Sequence, residues 1–216
     1  MKTLKENHRI LILWLIFYTH AFTFHNHLHA QELQFKTLTV NNGLTQHDVS
    51  CIIQDSDGFI WVGTYDGLNR YDGFKVLNFS HKTGDIESLS SNRIICLFED
   101  SKKRIWIGTD GNGLNYYSLQ TEKFVRVNTP PGFNLINDII ENANGDIYIA
   151  TGNGLLKIID DEEKSRAEIV QLPLTGLSIN KILITTDNSF YFATNRGIWV
   201  WKNNNCTQLK EIENEQ

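Results

Sequence analysis

The sequence is poor in several things that would point to common functions. It has no cluster of Lys and Arg and a net charge of −5, which argues against nucleic acid, because a phosphate-binding surface needs concentrated positive charge. It has three cysteines, Cys51, Cys96 and Cys206, and an odd number rules out full internal pairing. Helical periodicity is missing outside the first thirty residues. No second long apolar run is present, nor a long helix with a phospho-acceptor His, nor a nucleotide-binding helical region. Kinase chemistry is therefore not expected within these 216 residues.

Residues 1–30 stand apart. Lys2, Lys5 and Arg9 precede an apolar stretch, Ile10 to Phe24, and a softer segment ends at His29-Ala30. That order of basic, apolar and small residues predicts a secretory signal peptide cleaved after Ala30, with an uncleaved anchor as the rival reading. Removing it takes three basic and one acidic residue from totals of 20 and 25, leaving net −7. His25, His27 and His29 resemble a metal tract, but they fall in the predicted leader; only His47 and His81 remain beyond it.

What the rest of the chain does contain is a repeat. Aromatic-x-small-Thr recurs as Trp61-Val-Gly63-Thr64, Trp106-Ile-Gly108-Thr109, Tyr148-Ile-Ala150-Thr151 and Tyr191-Phe-Ala193-Thr194, at spacings of 45, 42 and 43 residues. Six residues before each anchor stand Asp55, Asp100, Asn142 and Thr185. A turn pair follows in each case: Asp57-Gly58, Lys102-Lys103, Asn144-Gly145 and Asp187-Asn188. After each anchor comes Gly and an apolar residue: Gly67-Leu68, Gly113-Leu114, Gly154-Leu155 and Gly197-Ile198. Each unit reads as four antiparallel strands. In the first these are 49–54, 59–64, 68–71 and 74–79; in the second, 93–99, 104–109, 113–119 and 123–127.

Units of this length and pattern predict an all-β protein, a β-propeller built of four-stranded blades. The blades should cover about 44–79, 89–127, 133–172 and 177–212. The small residue in each anchor implies close approach between strands. The aromatic two places earlier should pack into the adjacent blade, and the Thr should bond within its turn. Cys51 and Cys96 hold equivalent slots in successive units and should stay too far apart for a disulfide, so three free thiols are expected.

The segments 43–73 and 88–118 resemble two-component regulator propeller repeats, whose pattern runs Leu-Ser-x-Asn-x-Val, then Ile, Asp, Gly, Trp-x-Gly-Thr and Gly-Leu. The likeness extends over about residues 33–212 and weakens in the third and fourth units. His47 and Leu177 stand where the pattern has Asn, present as Asn92 and Asn134. The resemblance implies the periplasmic sensor region of a hybrid two-component histidine kinase of Bacteroidetes type. It also implies a ring of more blades than four, usually seven, and a ligand derived from glycans. Residues 33–40 read as a further strand, which in that family closes the ring; here the fourth unit has its own outer strand, leaving 33–40 unpartnered. An open arc of four blades, the N-terminal part of a longer sensor, is the expectation, with a compact four-bladed propeller as the alternative.

Other motifs read as turns. Thr109–Gly113 and Thr151–Gly154 lack the helix that a phosphate loop needs behind its glycines. Asp55–Gly58 places Phe59, Ile60 and Trp61 where a calcium loop needs oxygen ligands. Asp160–Lys164 reads as a solvated acidic loop tip. No metal or cofactor site is expected. An enzyme, such as a periplasmic lyase, is the alternative function, and a non-functional fragment is a third reading. The loops on one face carry Tyr65, Asp66, His47, Asn92, Asp110, Asn112, Asn153, Asn195 and Arg196. Amides, carboxylates and an aromatic suit a sugar, so these form the candidate ligand-binding set. The candidate partners are an oligosaccharide, further blades, a membrane histidine kinase module and a second copy of the chain as a dimer.

Overall fold

The structure, a computed structural model, describes Trp14 and residues 35–160, 165–172 and 176–209. The expected leader, except Trp14, and its histidine tract lie outside the described residues. The chain divides between Thr37 and Leu38, and all the blades belong to the unit from Leu38 onward. No helix among the described residues is long and apolar enough to cross a membrane.

Sixteen strands form four separate antiparallel sheets of four. Blade 1 holds β1 (Val49–Gln54), β2 (Ile60–Thr64), β3 (Gly67–Tyr71) and β4 (Val76–Phe79). Blade 2 holds β5 (Ile94–Glu99), β6 (Arg104–Thr109), β7 (Leu114–Ser118) and β8 (Lys123–Val127). Blade 3 holds β9 (Ile136–Glu141), β10 (Ile147–Thr151), β11 (Gly154–Asp160) and β12 (Ser165–Ile169). Blade 4 holds β13 (Ile179–Ile184), β14 (Phe190–Thr194), β15 (Gly197–Lys202) and β16 (Asn205–Gln208). The inner strands neighbour one another in sequence order, β1 to β5 to β9 to β13, and β13 is not packed against β1. The arc is open.

Each inner strand carries a bulge one residue in from its start, at Ser50, Ile95, Asn137 and Asn180. A bulge bends and twists a strand, and repeating it four times gives every blade the same inner edge. The first hairpin of each blade turns on a residue with positive φ: Gly58, Lys103, Gly145 and Asn188.

Three apolar clusters fill the three blade junctions. Trp61 and Leu68 meet Leu97, Ile107 and Tyr117 between blades 1 and 2. Trp106 and Leu114 meet Ile139, Ile149 and Leu156 between blades 2 and 3. Tyr148 and Leu155 meet Ile182, Phe190 and Phe192 between blades 3 and 4. The small residue after each aromatic is a steric requirement. A Cβ on Gly63 would stand 2.5 Å from the Cys51 sulfur and 2.7 Å from Ile94 Cγ2, and one on Gly108 would meet Cys96 and Ile136 at 2.4 and 2.6 Å. The thiols thus fill the space over their cross-strand glycines. All three cysteines are free. Burial pushes the Cys51 thiol up to about 11 and Cys96 well above its ordinary value.

Residues 33–40 require a correction. Of their described part, 35–39 form no strand, and Val40–Asn42 is a 3-10 turn. The alternating apolar pattern is overridden by local bonding: the Asn42 side-chain oxygen accepts from the Thr39 amide at 3.1 Å and from its hydroxyl at 2.8 Å. Gly43 then takes φ +109 to end the turn. The outer strand of blade 4 is β16.

Candidate functional site

The loops from outer to inner strands, and the turns between second and third strands, share one end of the blades, called here the upper face. The anchor threonines build it. Thr64 Oγ1 donates to the Gly67 carbonyl at 2.9 Å and accepts from the Asp66 amide at 3.0 Å. Thr151 and Thr194 repeat both bonds, to Gly154 and Gly197 and from Asn153 and Arg196. Thr109 repeats the first, to Gly113. The same turns stitch blade to blade: the Gly67 amide donates to the Asn92 carbonyl at 2.8 Å and the Gly113 amide to the Asn134 carbonyl at 2.9 Å.

At the seam of blades 1 and 2 this framework brings charged and aromatic groups together. The Arg93 guanidinium lies 5.1 Å from the centre of the exposed Tyr65 ring. It also pairs with Asp110 at 2.8 Å. Asn92 Nδ2 donates to Asp66 at 3.3 Å, while Asn92 Oδ1 accepts from the His81 amide at 2.6 Å. A guanidinium over one ring face is worth about 0.5–1 kcal/mol at an exposed site. The repeat does not mark Arg93, because the equivalent slots hold Asp48, Leu135 and Ser178.

The other residues of the set are placed separately. His47 is exposed at the start of blade 1, and Asn112 is exposed in the blade 2 turn. Asn153 donates its amide to the Gly132 carbonyl. Asn195 Oδ1 accepts from the Ser178 amide at 3.3 Å, and the Arg196 carbonyl accepts from Gln208 at 2.7 Å. Tyr65, Asp66, Asn92 and Asp110 therefore converge around Arg93, whereas Asn112, Asn153, Asn195 and Arg196 belong to their own blades' turns.

The opposite, lower face holds an ion network that the acidic run only hinted at. Asp160 is not a free loop-tip charge: it binds Lys102 at 2.8 Å and Arg104 at 3.0 Å, and accepts from Ser165 at 2.6 Å. Burial alone would raise its carboxyl, but these hydrogen bonds outweigh burial and hold it well below the usual range. Residues 161–164 of that run lie outside the described residues. A cleft beside blade 2 is lined by Lys102, Lys103, Arg104, Tyr116, Ser118 and Thr121; Lys103 pairs across the seam with Asp57 at 2.7 Å. Among the described residues no group of three or more His, Cys, Asp or Glu side chains could hold a metal ion. The His81 ring nitrogen lies 2.7 Å from the Leu89 carbonyl, so it serves the connection into blade 2.

Residues 43–66 and 88–111 match the family described as Two component regulator propeller. Histidine kinase P4 of Formosa agariphila is 43% identical over 56 residues, which are 26% of this chain and 4% of that protein. The extracellular domain of a hybrid two component system from B. thetaiotaomicron aligns with a TM-score of 0.71 at 19% identity. The alignment covers 81% of this chain and 26% of that one. Virginiamycin B lyase from Staphylococcus aureus aligns with a TM-score of 0.60 at 18% identity, over 79% of this chain and 59% of the lyase. Both structural likenesses establish the propeller fold, and this chain spans only a small part of the kinase and about a quarter of the extracellular domain. Two of the four blade repeats, in blades 1 and 2, are thus similar to the repeats of the two-component regulator propeller family, and the chain as a whole has the propeller fold.

Proposed function

We propose that this arc is a non-catalytic, exported sensor segment whose upper face binds a glycan-derived ligand at the seam of blades 1 and 2. The ligand's bound state would pass to a histidine kinase module outside these residues. The observation that carries the reading is the convergence of Tyr65, Arg93, Asp110 and Asp66 across that seam. An exposed ring, a planar guanidinium and two carboxylates offer stacking and directional hydrogen bonds to sugar hydroxyls. Because the groups come from two blades, a ligand held there would bridge them.

Calorimetric titration of the chain with a panel of oligosaccharides tests this. Tyr65→Ala and Arg93→Ala should each weaken binding about tenfold or more, in line with 1.4 kcal/mol per decade. Asn153→Ala, in the turn of blade 3 and bonded there to the Gly132 carbonyl, should leave affinity unchanged. Binding that survives both seam substitutions would remove these residues from the site.

A further inference from the structure

The connection from β4 to β5 runs from Ser80 to Arg93 and delivers Asn92 and Arg93 to the seam. It is fourteen residues long, against eight (128–135) between β8 and β9. A longer connection has more conformations to lose, so its last residues must be fixed if they are to meet a ligand in one arrangement. Its middle folds on itself: Ser88 Oγ donates to the Asp85 carbonyl at 2.8 Å, and Asp85 Oδ1 accepts from the Glu87 amide at 2.9 Å. Leu89 is buried in the junction of blades 1 and 2.

Arg126, half-buried on β8, takes hold of this middle from the side of blade 2. Its Nε donates to the Ser88 carbonyl at 3.1 Å, and its Nη2 to the Asp85 and Leu89 carbonyls at 2.8 and 3.0 Å. The Leu89 carbonyl also lies 2.7 Å from the His81 ring nitrogen, and the His81 amide donates to Asn92 Oδ1 at 2.6 Å. Asn92 then reaches blade 1, its side chain donating to Asp66 at 3.3 Å and its carbonyl accepting from the Gly67 amide at 2.8 Å. A run of hydrogen bonds thus leads from Arg126 to the Tyr65-Asp66 turn. The repeat supports the same role. Arg126 pairs with Asn115 on the third strand of blade 2, and its counterpart Asn78 pairs with Asn69 in blade 1. Asn78 Nδ2 donates to the Gly43 carbonyl at 2.9 Å, and Gly43 precedes Leu44 as Ser88 precedes Leu89. One slot does one task in both blades, with the Arg fork in blade 2, where the longer connection presents three carbonyls.

We infer that Arg126 is a positioning residue for the seam: without touching a ligand, it fixes where Asn92 and Arg93 stand against Tyr65 and Asp66. A site held in this way before its ligand arrives loses less freedom on binding. Lys at 126 would keep the charge but not the planar fork, so the exchange is not conservative here. The consequence for a ligand rests on the glycan reading above; the ordering of the seam does not.

Amide hydrogen exchange on the full chain, resolved residue by residue by NMR, tests the ordering. The Gly67, His81 and Asp110 amides donate to Asn92 or Arg93. In Arg126→Lys and Arg126→Ala these three should exchange about tenfold faster, as a locally loosened segment does. The Gly152 and Asn195 amides make the bond of Asp110 in blades 3 and 4, so they should keep their rates and report that the fold is intact. Calorimetry supplies the ligand arm: a sugar that binds the unsubstituted chain should bind either variant about tenfold more weakly. Unchanged seam amides, equal acceleration in every blade, or undiminished affinity for such a sugar would each overturn the proposal. A chain that binds no sugar, yet whose seam amides loosen in the variants, removes the glycan reading and keeps Arg126 in its role.

Discussion

The buried carboxylate at the head of the first hairpin in blades 1 and 2 shows how single residue choices are coupled. Asp55 takes the Trp61 indole N–H on one oxygen at 2.7 Å and the Asp57 and Phe59 amides on the other at 3.1 and 2.8 Å. Asp100 repeats this with Trp106 at 2.7 Å. In blade 3 the aromatic is Tyr148, which has no indole donor, and the partner is Asn142, which caps the turn by accepting from the Asn144 and Asp146 amides and turns its side-chain nitrogen to the Asp146 carboxylate at 3.3 Å. Asp pairs with Trp and Asn with Tyr because an Asn beside an indole would set donor against donor. Asp55→Asn should therefore cost about 1–3 kcal/mol, the penalty for a buried unsatisfied group. Adding Trp61→Tyr should recover part of that loss. Urea unfolding of the single and double variants measures the coupling, and equal, additive losses would refute it.

Between elements, the close approach of β1 and β2 to the next blade makes Gly63 the tightest point of the first junction. Gly63→Ala forces a methyl into the Cys51 sulfur and Ile94, an overpacking expected to cost about 1–3 kcal/mol. Cys51→Ala in the same chain should relieve much of it, because the sulfur is the nearer obstacle. Denaturant midpoints for the two chains decide this; no relief would assign the clash to Ile94. Blades 3 and 4 carry Ala150 and Ala193 at this place, opposite Asp138 and Lys181 instead of a thiol. Asp138 there reaches blade 4, accepting from Lys181 Nζ at 2.7 Å and the Ile182 amide at 2.9 Å. The strand boundaries themselves were largely legible, since turn pairs and alternating apolar residues bracket them. Residues 35–42 were not, because a side chain bonding its own backbone competes with strand pairing and leaves the same residue pattern.

The whole arc holds together through junctions that each carry a carboxylate: Asp57 and Glu99 at the first, Glu141 and Asp160 at the second, Asp138 at the third. Asp160 is held below its ordinary range by its bonds to Arg104, Lys102 and Ser165, which override burial. A depressed carboxyl contributes stability that is present above the unfolded value, about 3.9, and is lost as pH falls through the folded value. The arc should thus lose stability as pH drops below about 4. Asp160→Asn should lower stability at neutral pH and flatten that acid limb. Thermal unfolding followed from pH 7 downward tests this, and an unchanged acid limb in the variant would exclude Asp160 as a contributor.

The amino-acid sequence by itself determined the blade: its period, its four strands, the aromatic, small and Thr positions, and the hairpin turns. These follow from local rules, because alternation and positive-φ turns act within a few residues of one another. Only the tertiary structure decided which polar residues meet. Tyr65 and Arg93 are 28 positions apart, and Lys102 and Asp160 are 58 apart. Their contacts arise because one blade's turn lies against the next, a relation that no single repeat encodes. The open arc is decided at the same level: the three junctions that lead from β1 to β13 do not bring those two strands together.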